Sequence, residues 1–63
     1  MKDIDKKIIQ ALADNNLSVG ETAKEVFMGR SSIYRHVRKI KKETGLNPLS
    51  FWDLLNLLKM CWG

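Results

Sequence analysis

An all-α fold of four short helices follows from three features of the sequence. Apolar residues recur at helical spacing in four separate segments. No segment alternates apolar and polar residues in the manner of a strand. Capping residues and glycines punctuate the boundaries between the segments. With 63 residues in all, residues 1–63 are read as one domain.

The first helix is expected over residues 2–15. Ile4, Ile8, Ala11 and Leu12 share one face, and Asp3 and Asp5 suit the positive end of the helix dipole. Asn15 and Asn16 supply a stop, because asparagine tolerates the left-handed conformation. The second helix is expected over 19–27. Ser18 and Glu21 have the spacing of a capping box, and Val19, Ala23 and Val26 form the apolar side. Gly29 is placed to make the turn that follows. The third helix is expected over 31–44, with Ile33, Val37 and Ile40 as its buried stripe. Gly45 ends it and Pro48 prevents its continuation. The fourth is expected over 51–61, capped by Ser50 with Asp53. Phe51, Leu54, Leu55, Leu58 and Trp62 are its core face, leaving Trp52, Leu57 and Met60 outside that stripe.

Several function classes are disfavoured. One cysteine, Cys61, excludes an intrachain disulfide, and with one histidine, His36, the chain is poor in zinc ligands. No metal or cofactor is expected. There is no Gly-rich phosphate loop and no nucleophile with an evident base, so an enzyme is not expected either. A membrane span needs roughly 18 apolar residues in a row, and the N-terminus lacks the apolar stretch of a signal peptide. A cytoplasmic protein with no membrane partner is the expectation.

Charge is segregated along the chain. The net charge is +4. Residues 30–42 carry Arg30, Arg35, Arg38, Lys39, Lys41 and Lys42 with no acid, whereas the rest has five lysines against seven acids. A cluster of this kind is the footprint of a phosphate-binding surface. On a helical projection centred on Ile33, Ser31, Arg35, Arg38 and Lys42 fall about 140–200° away, with Tyr34 and Lys39 at the flanks. One side of the third helix is thus apolar and the other carries guanidinium, ammonium, hydroxyl and phenol groups.

Those are the groups of a DNA-recognition helix. Arginine pairs with the guanine edge, and hydroxyls and lysines suit phosphates. The candidate DNA-binding residues are Arg30, Ser31, Ser32, Tyr34, Arg35, Arg38, Lys39 and Lys42. Ser31, Ser32, Tyr34 and Arg35, near the helix start, are the base-reading candidates. Arg38, Lys39, Lys41 and Lys42 are assigned to the backbone. Ala23 is small where two helices of a helix-turn-helix cross, and Val26, Met28 and Ile33 are apolar where that motif requires it. Many such motifs place glycine at the position of Phe27; here glycine comes two residues later. His36 falls at the rim of the buried stripe and reads as a packing residue. Cys61 reads as a small buried hydrophobe.

Residues Glu21 to Leu46, ETAKEVFMGRSSIYRHVRKIKKETGL, resemble the C-terminal helix-turn-helix of PucR-type regulators of purine catabolism and sugar-diacid use. Glu21, Thr22, Ala23, Phe27, Arg30, Ile33, Ile40, Thr44, Gly45 and Leu46 carry the likeness, which continues through Asn47 and Phe51 into Leu54 to Leu58. The resemblance implies a bacterial transcription regulator that binds double-stranded DNA, usually as a dimer. Ser31 and Ser32 replace the usual asparagine and threonine. Arg35-His36 replaces the usual tyrosine-arginine pair, so no operator sequence carries over. Relatives usually carry this domain behind a long sensory region that these residues do not include, and no small-molecule ligand is expected.

The surplus apolar residues of the fourth helix support a second reading, a helical module that docks a protein partner. Trp52, Leu57, Met60 and Trp62 are the candidate homodimer surface.

Overall fold

The computed structural model describes residues 1–62. Four helices are present among them: α1 (Asp3–Asp14), α2 (Val19–Glu25), α3 (Arg30–Thr44) and α4 (Phe51–Trp62). The all-α, four-helix expectation holds. α1 is the hub and packs against each of the other three, while α2 also packs on α3. One core joins all four helices: Ile8, Ile9 and Leu12 of α1, Ala23 of α2, Ile33, Val37 and Ile40 of α3, and Leu54 and Leu57 of α4.

The helix ends explain most departures from the expected boundaries. α2 stops at Glu25 because Val26 leaves helical geometry and Phe27 turns left-handed, with φ +57°. Phe27 thus occupies the conformation usually given to glycine, while Gly29 has an ordinary φ of −74°. Gly29 instead starts α3 one residue early. Its carbonyl accepts from the N–H groups of Ser32 and Ile33, which makes Arg30 the first helical residue. The turn after α1 uses Asn16 as expected, but Leu17 is left-handed too, at φ +67°. Leu17 is drawn there because its side chain packs on the core and its N–H donates to the Leu12 carbonyl.

Gly45 ends α3 as expected, with φ +76° and its N–H donating to the Lys41 carbonyl. Thr44 supports this stop from both sides. Its hydroxyl donates to the Ile40 carbonyl at 2.7 Å and accepts from the Leu46 N–H at 3.1 Å. At α2, the Ser18 hydroxyl accepts from the Glu21 N–H. The other half of that box is missing, since the Ser18 N–H already donates to Asn15 and Glu21 pairs with Lys24. Asp53 does not cap Ser50 either. It accepts from the Asn47 N–H at 3.0 Å, tying the α3–α4 loop to the first turn of α4.

The buried face of α4 differs from the expected one. Leu54 and Leu57 are buried, and Leu58 and Cys61 pack partly against the core. These four lie at i, i+3, i+4 and i+7, a stripe rotated about 60° from the expected one. Leu57 is 0% exposed and is removed from the candidate homodimer surface. Phe51, Leu55 and Trp62, expected inside, are exposed. Mid-sized leucines fill the space against Ile8, Ile9 and Leu12, and the bulkier rings at the two ends of α4 are left outside.

Candidate nucleic-acid interface

The first requirement of a recognition helix is a fixed rotation about its own axis. Ile33, Val37 and Ile40 supply part of it by burying one side of α3. A polar clamp supplies the rest. Asp5 of α1 is completely buried, and its carboxylate meets His36 Nδ1 at 3.0 Å and Lys39 Nζ at 3.2 Å. The Lys2 N–H donates to the same carboxylate at 3.1 Å. An ionised carboxylate only accepts, so His36 holds its proton on Nδ1. Burial alone would raise the Asp5 pKa. The Lys2 N–H, His36 and Lys39 outweigh that and hold it below its ordinary value of 3.8.

Lys39, expected among the outward-facing cations, is partly exposed and donates its ammonium to Asp5. It braces α3 against α1. His36 sits at the rim of the buried stripe, as its position on the helix requires, and it has a partner that reading α3 alone did not supply.

The remaining candidates are exposed. Arg30, Ser31, Tyr34, Arg35, Arg38 and Lys42 face solvent, and Ser32 is half-exposed. Arg35 and Arg38, three residues apart, lie on one face of α3 opposite Ile33 and Ile40. No acid lies between Arg30 and Lys42, so nothing on that stretch of helix neutralises them locally.

At the start of α3 a shallow cleft of about 520 Å³ separates it from α2. Ser18, Gly20, Lys24, Arg30 and Tyr34 are among its lining residues. Lys24 is therefore on the same side of the molecule as Arg30. Its spacing along α2 gave no hint of this, because the crossing of α2 over α3 creates the cleft.

This arrangement of a short helix, a turn and a longer basic helix matches a known domain. Comparison with protein-family models aligns residues 7–61 with the PucR C-terminal helix-turn-helix domain. The chain belongs to that family. Neither curated proteins nor solved structures gave a match. Within the PucR helix-turn-helix frame, α2 and α3 are the motif, α1 is the brace beneath it, and α4 closes the core. His36, where the PucR-type pattern has an arginine, is the residue this chain turns inward to Asp5.

Among the described residues, no cluster of His, Cys, Asp and Glu has the makings of a metal site. No helix there is long and apolar enough to cross a membrane.

Proposed function

We propose that this PucR-type domain is a DNA-binding transcription regulator that places α3 in the major groove. The observation that carries the reading is the outward face of α3. It presents Ser31, Tyr34, Arg35, Arg38 and Lys42 to solvent, while its opposite face is fixed by the core and by Asp5. A groove of B-DNA admits one helix, and a helix held in one rotation presents the same donors at every encounter. Ser31, Ser32, Tyr34 and Arg35 are assigned to base edges. Arg30, Arg38 and Lys42 are assigned to phosphates. The role needs no cofactor and no catalytic group, and the cytoplasm is where such a regulator meets its DNA.

Fluorescence anisotropy with a mixed-sequence duplex at about 50 and 200 mM salt tests this, since each lost phosphate contact removes about 0.9 from the log–log salt slope. Arg35→Ala/Arg38→Ala is expected to weaken binding and to flatten that slope by about 0.9, for the one phosphate contact assigned to Arg38. A folded wild-type domain that shows no binding at low salt would overturn the reading.

A second reading, association through α4, is favoured by one observation. Trp52, Met60 and Trp62 are 73%, 59% and 64% exposed, and Phe51 and Trp52 form an exposed edge-to-face pair with centroids 5.4 Å apart. Self-association through these residues would give the dimer that the helix-turn-helix uses to read two half-sites. Sedimentation equilibrium of the wild type and of Trp52→Ser/Trp62→Ser checks it. A wild-type monomer at all concentrations would dismiss it.

A further inference from the structure

Gly20 is the second residue of α2, where nothing in the backbone demands a glycine, and most residues are better helix formers. Its surroundings supply a reason. A Cβ placed on Gly20 would lie 3.1 Å from Nη2, 3.6 Å from Cζ and 3.6 Å from Nε of Arg30. Nη2 is the nearest of the three, so the guanidinium comes up against the side of Gly20 where a side chain would stand. Arg30 is the first residue of α3 and is exposed. Its guanidinium thus lies against another helix, and Arg30 lines the same cleft as Lys24 and Tyr34.

We infer that Gly20 is a positioning residue: it leaves the space in which the Arg30 guanidinium lies against α2, aimed at a DNA backbone phosphate at the edge of the groove that α3 enters. The inference rests on the DNA-binding reading above. Its physical content is entropic. A free arginine side chain must be ordered when it binds phosphate, whereas one already laid against a helix loses less freedom. Arg30 has no carboxylate among its described salt-bridge partners, so its charge is available. Lys24, on the next turn of α2, brings a second ammonium to the same cleft, although it also pairs with Glu21 at 3.6 Å.

The test is a double-mutant cycle on DNA affinity. Alanine at position 20 asks Arg30 to give way by only a few tenths of an ångström. Gly20→Ala is therefore expected to bind within about twofold of wild type, with a melting temperature equal or higher. Gly20→Leu fills the space where the guanidinium lies, and leucine is a good helix former. It is expected to lose roughly tenfold in affinity, about the value of one charge-assisted hydrogen bond. Arg30→Ala should lose a similar factor, with a salt slope shallower by about one.

The decisive result is the double variant. If Gly20 acts through Arg30, then Gly20→Leu/Arg30→Ala binds no more weakly than Arg30→Ala alone. Equal losses from Gly20→Leu with and without Arg30 would mean that leucine itself obstructs the DNA, and the positioning role would be overturned. Gly20→Leu at wild-type affinity would overturn it as well. Thermal unfolding of each variant separates a lost contact from a lost fold. Failure of the wild type to bind any duplex would instead refute the DNA reading beneath it.

Discussion

Replacing Asp5 by asparagine tests the clamp that fixes α3. Asparagine keeps the shape of the side chain but removes its charge and turns one acceptor into a donor. In the structure both carboxylate oxygens are used, by His36 on one side and by Lys39 and the Lys2 N–H on the other. Removing one partner of a buried pair costs about 3–5 kcal/mol. Lys39 is 37% exposed and can turn to water, which screens its loss and brings the figure down to about 2 kcal/mol. A domain of this size has about 3–9 kcal/mol in total, so the loss is a large fraction of it. Urea unfolding should show a lower midpoint with an unchanged m-value. The pH dependence has a defined sign. Asp5 has a folded-state pKa below its unfolded value of 3.8. Its contribution is therefore fully present above that unfolded value and is lost as pH falls through the lower, folded one. Wild type should lose stability in that acid window, and Asp5→Asn should lose less there. A loss below about 0.5 kcal/mol at neutral pH, the scale of an ordinary surface substitution, would refute the clamp.

Two further predictions concern the turn and the last helix. Phe27 is 94% exposed and left-handed, a conformation that costs a non-glycine residue about 1–2 kcal/mol. Phe27→Gly should recover about 0.5–1 kcal/mol after the entropy of glycine is subtracted, seen as a melting temperature higher by roughly 2–8 °C; a lower one would show that the ring contributes packing. Leu57→Ala should cost about 2–5 kcal/mol in chemical denaturation, whereas Trp52→Ala at low protein concentration should stay within about 0.5 kcal/mol. The reverse ranking would restore Leu57 to the surface.

The parts of this fold that could be read from sequence are those where one local signal has one meaning. Ile33, Val37 and Ile40 admit a single helical face on α3, and Thr44-Gly45-Leu46 admits a single kind of stop. α4 is different. It is apolar at so many positions that its periodicity does not select a face, and the rotation is decided by what fits against Ile8, Ile9 and Leu12. Asp5 was hidden for another reason. A carboxylate in the first turn is already accounted for by the helix dipole, and its partners lie 31 and 34 residues away. α1 in fact buries the line Asp5, Ile8, Ile9, Leu12, one polar residue on an otherwise apolar stripe, and that is the pattern that would have exposed it. At the interface, exposure of Arg35 and Arg38 follows from the period of α3, but the inward turn of Lys39 and the resting place of Arg30 depend on neighbouring helices.

The division of α3 into a fixed side and a free side bears on how such a domain can change its target. Ser31, Tyr34, Arg35 and Arg38 touch little of the protein, so substitutions there are nearly silent for folding. Ile33, His36, Val37, Lys39 and Ile40 hold the helix in place and are expensive to alter. On the proposed docking of α3, new DNA preferences would be sampled at Ser31, Tyr34 and Arg35 while the second group keeps the scaffold intact. A lineage, or a selection experiment, that randomises only the free side should yield many folded domains with different operators.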